Sequence, residues 1–461
     1  MPERDMHQMM TTTPAPRALW RTYLAIFLPM MLTNVLQSAS GAIDGIFIGQ
    51  LLGLNAVAAV SAFFPVMFLL LAIVIGLASG ATVLIGQAWG AGDRPKVRAI
   101  AATALGMMVI AGLAVSLVGA LFAPKIMAAL GTPAAVQNDA AYYARLLMLG
   151  MPVIFLLWLV TSMSRGVGDA VTPLRALAIA MAVSLFCTPA LILGWGSLPR
   201  LGVASAAVSN LAAAVMALLW LVRHWQRIAH PLAPDWQSWR DMRLDRQVAW
   251  TILRIGVPAA MQMLAIALAE MALLHLINRY GKSATATYGA INQVMSWVQL
   301  PVMSLGITGS ILASQAIGSG RPERIGAIVR TGLWLNLAAT GGAIVLATIA
   351  ARPLIGLFIV APDVAGIATE LLRTVLWSMI ALGGASVLTG VMRADGTVLG
   401  PTALSVFAIL GIEIPAAYWL EARFGLHGIW FAYATAFVAM LVLQILFFRL
   451  VWRRKARRRL V

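Results

Sequence analysis

Three carboxylates stand where a chain can least tolerate charge: Asp44, Glu270 and Glu413 each lie inside a long apolar run of the 461-residue sequence. A charged side chain at the middle of a membrane span costs about 2.5–3.5 kcal/mol on insertion scales, so one that is kept there generally has a use. Removal from water favours the neutral acid, whereas a nearby cation favours the carboxylate. A group balanced between those states can hold a proton, a metal ion or a cationic ligand in turn, which is the chemistry of ion coupling.

Other residues could serve the same sites. Asn34 and Gln37 share the helix of Asp44, and Ser184, Thr188, Asn210, Asn292 and Trp297 are polar or aromatic groups in apolar surroundings that could line a cavity. The commoner role of polar residues in spans is a hydrogen bond to a neighbouring helix. His275, about one turn beyond Glu270, offers that acid a partner. Glu413 precedes Pro415 by two residues, and the missing proline amide frees a carbonyl that a protonated Glu413 could satisfy. An enzyme or a metal site would need a nucleophile beside a base, or a set of convergent ligands. Five scattered histidines and the single Cys187 form neither pattern, so no catalysis, metal or cofactor is expected.

The elements that must carry these residues are membrane helices. The chain is 61% hydrophobic and 11% charged, with a mean hydropathy of +0.89, whereas a soluble domain is about a quarter charged. Unbroken runs such as AVSAFFPVMFLLLAIVIGLA at 59–78 exclude a barrel of alternating strands. At about 20 residues per span the length suits twelve helices. Apolar runs between Gly, Pro and charged breaks place them near 22–50, 55–86, 96–122, 138–164, 172–195 and 202–224, then near 250–278, 284–315, 325–350, 366–392, 401–420 and 426–450. The expected fold class is an all-α polytopic membrane protein of two six-helix lobes, 22–228 and 248–452. They are joined by a polar connector at 229–247 and flanked by an N-terminus at 1–21 and a basic tail at 453–461. The N-terminus lacks a short apolar core with a cleavage site, so a removed signal peptide is not expected.

Basic residues orient the chain. Of 33 Lys and Arg, 25 fall on the N-terminus, the even-numbered loops and the C-terminus, and 8 on the opposite side. The cytoplasmic face carries the excess, which puts both termini in the cytoplasm and accounts for most of the +17 charge. Scattered at loop ends, these residues do not make a nucleic-acid surface; the tail suits anionic lipid.

A shift of 228 residues lays the chain on itself. GQAWGAG at 86–92 falls on SQAIGSG at 314–320, SRGVGDAVTP at 164–173 on MRADGTVLGP at 392–401, and Gly53 on Gly281. The matches are Gly, Pro and polar residues at loops, which apolar composition does not generate. Since each half holds an even number of spans, the halves form a parallel repeat.

These motifs resemble the multidrug and toxic compound extrusion (MATE) family, within the wider multidrug, oligosaccharidyl-lipid and polysaccharide exporter superfamily. The likeness rests on a GxAxGAGD-like turn after helix 2, an RGxGDxxxP-like turn after helix 4, weaker copies of both in the second half, and the opening segment LPMMLTNVLQSASGAIDGIFIGQLLGLNAVAA at 28–59. It implies two lobes facing a cavity and export of organic, often cationic, compounds in exchange for protons or sodium ions by alternating access. The location would be the inner membrane, crossed many times, with small molecules and lipids as partners, no nucleic acid, and a monomer as the working unit. Asp44 matches the family's helix 1 aspartate and is the expected ion-coupling residue. Ser184 and Thr188 stand where some relatives carry Asn and Asp, and helix 10 has no acid between Arg373 and Arg393. The first departure favours a proton over sodium, and the second removes the further site that another branch of the family uses. Glu270 and Glu413 are secondary ion or substrate candidates. A flippase for a lipid-linked oligosaccharide is the alternative.

Overall fold

In a computed structural model, the apolar runs form helices long enough to span a bilayer. The structure describes residues 16–195, 199–234, 244–359, 361–455 and 459–460. Parts of the expected N-terminus (1–15), connector (235–243) and basic tail (456–458) lie outside the described residues. Twelve candidate spans are present among the described residues: α1 (Leu19–Leu52), α2 (Leu54–Gly90), α3 (Arg94–Ala129), α4 (Gln137–Gly166), α5 (Val171–Leu193), α6 (Ala204–Arg227), α7 (Arg246–Asn278), α8 (Lys282–Gly318), α9 (Pro322–Ile349), α10 (Pro362–Arg393), α11 (Leu399–Phe424) and α12 (Leu426–Arg454). No strand occurs among the described residues. The chain is a polytopic helical membrane protein, as its composition requires.

Local chemistry sets the helix ends. The Asp93 side chain accepts the Lys96 N–H at 2.9 Å to start α3. Asp169 accepts the N–H groups of Val171 and Thr172 at 3.1 and 3.0 Å to start α5, satisfying donors that a helix N-terminus leaves free. The repeat extends to the backbone. Gly53 and Gly281 precede α2 and α8 with φ of 82° and 86°, Gly92 and Gly320 end α2 and α8 at 74° and 70°, and Gly168 and Gly396 lie at 93° and 79°. Positive φ is cheap for glycine alone, which is why these positions stand out when the chain is laid on itself.

The chain divides into two compact units. An N unit comprises Leu32–Leu264 with Leu460–Val461, and a C unit comprises Met1–Met31 with Ala265–Arg459. In the N unit α2 packs on α3 and α4, α3 on α4, α4 on α6, and α5 on α6; the C unit repeats every pairing six helices later. The unit limits do not follow the division into residues 22–228 and 248–452, because α1 and α7 are each shared between the units. In the N unit the first half of α7 lies backbone to backbone on α2: a Cβ at Gly76 would meet the Gly256 carbonyl at 2.5 Å, and one at Gly80 the Ile252 carbonyl at 2.6 Å. In the C unit the first half of α1 lies on α8, where Tyr23 donates to the Leu305 carbonyl at 3.2 Å. Pro29 and Pro258, close to the two changeovers, interrupt α1 and α7 at matching places.

Candidate functional site

Each unit holds its own intramembrane acids. In the N unit Asp44 projects from α1 and is half-buried. Ser184 and Thr188, one turn apart on α5, place their hydroxyls 2.9 and 3.2 Å from Asp44 Oδ1. Asn210 of α6 is another side-chain partner of Asp44, and its amide also donates to the Ala206 carbonyl at 3.0 Å. Thr188 lies 2.8 Å from Ser209 Oγ on α6 as well. A hydroxyl has one hydrogen, so Thr188 can donate either to Asp44 or to Ser209. The cluster therefore has two hydrogen-bond arrangements, distinguished by the demand of the Asp44 oxygen.

In the C unit Glu270 projects from α7. Its Oε2 accepts the Tyr288 hydroxyl of α8, the Tyr433 hydroxyl of α12 at 3.0 Å and the Asn292 amide of α8 at 3.4 Å. The Tyr433 ring stacks on Trp430 at a centroid distance of 5.6 Å, and Trp430 also meets Tyr288. These rings fix the two phenols that grip the carboxylate. His275 is exposed and is not among the partners of Glu270, so the expected pairing gives way to a phenolic one.

Glu413 is buried at 4% exposure and belongs to a π-helical turn, Phe407–Glu413, within α11. No side chain donates a hydrogen bond to its carboxyl among the described residues. It lies within electrostatic reach of Glu270 and Tyr433.

Of the remaining candidates, Asn292 joins Glu270, whereas Trp297 is half-buried against Phe358 at 6.1 Å and belongs to neither cluster. Asn34 and Gln37 are half-buried on α1. Ser209, Tyr288 and Tyr433 join the candidate clusters without having been singled out in the sequence. The two tyrosines carry no distinguishing signal in the sequence, since six of the chain's 7 tyrosines fall inside candidate spans.

Comparison with known proteins is consistent across three measures. The family model described as MatE matches residues 29–189 and 258–419. A probable multidrug resistance protein, YoeA, of Bacillus subtilis (strain 168) is 36% identical over 461 residues, covering 100% of both chains. A solved outward-facing multidrug resistance MATE family transporter of the MOP superfamily superposes with a TM-score of 0.87 at 20% identity, over 96% of each chain. A Vibrio cholerae MATE transporter, VcmN, gives 0.88 at 19% identity over 95% of this chain and 98% of its own. At those identities the two structures speak for the fold.

Proposed function

The chain belongs to the MatE family of multidrug and toxic compound extrusion transporters, and on that premise we propose that it exports organic, often cationic, compounds across the inner membrane in exchange for protons. The observation that carries this reading is the Asp44 cluster. A lone carboxylate in a span is faced by the neutral donors Ser184, Thr188 and Asn210, and no ion pair reaches it among the described residues. Its charge is therefore free to change.

With Asp44 ionised, both α5 hydroxyls donate to it, since bonds to a charged acceptor are the stronger. When a proton arrives from the outer side, the oxygen becomes a weaker acceptor and Thr188 turns its hydrogen to Ser209. The junction of α1, α5 and α6 thereby has one arrangement for each protonation state, the kind of two-state element that coupled transport requires. An organic cation is stabilised by the ionised carboxylate and loses that attraction when the carboxylate is neutralised, so proton and cargo alternate. Both termini face the cytoplasm in this scheme, and efflux is driven by the inward proton gradient.

The test is ethidium transport by inverted membrane vesicles under pH and sodium gradients imposed separately. The parent chain accumulates ethidium under the pH gradient, and Asp44→Asn falls to the level of vesicles without the protein. Equal transport by parent and Asp44→Asn under every gradient overturns the assignment; transport driven by sodium alone reassigns the coupling ion.

A further inference from the structure

The C unit contains a pair of acids with contrasting surroundings, on helices that correspond under the repeat to those of the Asp44 cluster: α7, α11 and α12 stand six helices after α1, α5 and α6. Glu270 is half-exposed and receives hydrogen bonds from Tyr288, Tyr433 and Asn292 on one oxygen. Three donors onto one oxygen suit a carboxylate, which only accepts. Glu413 is buried at 4% exposure, and no side chain donates a hydrogen bond to it among the described residues, where an ionised carboxylate would be held at great cost. Two neighbouring carboxyls in such contrasting surroundings can serve as donor and acceptor of one proton.

Helix geometry points the same way. The π-helical turn Phe407–Glu413 inserts about one residue into α11, which rotates the remainder of the helix by about 100° relative to an unbroken α-helix. Such turns are rare and concentrate at functional sites. This one packs Ala408 and Ile409 with Ala269, the neighbour of Glu270, and with Ala385 and Met440. The titratable groups facing Glu413 are thus Glu270 from α7, with Tyr288 from α8 and Tyr433 from α12 at the same cluster; α10 brings only apolar and small residues between Arg373 and Arg393.

We propose that Glu413 is a second proton carrier of the transport cycle, a buried store that loads and empties through the half-exposed Glu270. Breaking the Glu413 O–H bond sends the proton to Glu270 Oε1, the oxygen that takes none of the three hydrogen bonds, from which it leaves to water as the organic cation binds; reloading reverses both steps. The inference rests on the proton-coupled reading above and extends it to both repeats.

Tetraphenylphosphonium added to the purified chain in weakly buffered detergent, with released protons followed by a pH indicator, reads the count directly. The parent releases about twice as many protons per chain as Asp44→Asn or Glu413→Gln, by proton linkage at two sites, and Glu413→Asp restores the parent count. Infrared difference spectra show two protonated-carboxyl C=O bands that disappear on binding in the parent: one is missing in Asp44→Asn, and the other is missing in Glu413→Gln and persists after binding in Glu270→Gln. Glu413→Asp moves the second band, which keeps the assignment testable even if Glu413→Gln does not fold. A parent count and second band unaltered in Glu413→Gln overturns the role of Glu413 while leaving Asp44 intact. No release from the parent overturns proton coupling as a whole.

Discussion

Asp44 is met by aliphatic hydroxyls and Glu270 by phenols, and that difference sets what each acid can do. Thr188 can turn to Ser209 on another helix, whereas Tyr288 and Tyr433, packed on Trp430, have Glu270 and each other as acceptors. The acids themselves were legible as charges in apolar runs. Their partners were less so: Tyr433 donates to Glu270 from 163 residues away, and an amphipathic tyrosine reads equally well as an interfacial residue. Outside the spans, His230 stacks on Trp225 at 4.7 Å and lies 3.6 Å from Asp169, while its Nδ1 accepts the Leu232 N–H at 3.2 Å. Burial pushes its pKa down to about 4, against the pull of Asp169 and with a further push from His224. A histidine whose folded pKa lies below its unfolded value near 6.5 takes up a proton more readily when unfolded. Its contribution to stability is therefore complete above about pH 6.5 and is lost as the pH falls toward 4. Thermal unfolding in detergent at stepped pH should show that loss, and His230→Gln should flatten it.

Among the elements, the packing of α7 on α2 is the one that tolerates least change. Gly256→Ala would drive a methyl to 2.7 Å from the Gly76 carbonyl, backbone against backbone, and overpacking of this kind costs about 1–3 kcal/mol. Gly342→Ala in α9, where no atom lies within 4 Å of the added Cβ, should leave stability unchanged. Melting curves of the two variants in one detergent compare the sites directly; equal curves would mean that α7 can slide off α2 without penalty. Helix number and limits were readable because a span must be apolar for about 20 residues. The sharing of α1 and α7 between units was not, since either face of an apolar helix suits a membrane interior. The π-helical turn was also hidden: Pro415 marked a break without saying that the preceding turn widens.

For the molecule as a whole, the repeat relates two acid clusters that share almost no residue identity. Under the 228-residue shift Asp44 falls on Ala272 and Glu270 on Ala42; α7, α11 and α12 take the places of α1, α5 and α6, and α8 adds Tyr288 and Asn292. Orientation is carried by the basic residues and can be checked without transport. In a Cys187→Ser background, Arg321→Cys at the start of α9 should react with an impermeant maleimide from the cytoplasmic side, and Lys282→Cys at the start of α8 from the outer side. Reversed labelling would invert the direction of proposed export.

The sequence by itself determined that this is a twelve-helix duplicated membrane protein and which acids sit in its spans. Hydrocarbon forces every backbone group into a local helix, and a buried charge is conspicuous wherever the rest is apolar. Only the tertiary structure decided which helices share α1 and α7, which phenols hold Glu270, and that Glu413 is buried within electrostatic reach of it. Those facts depend on contacts between residues far apart in the chain, for which helical periodicity carries no record.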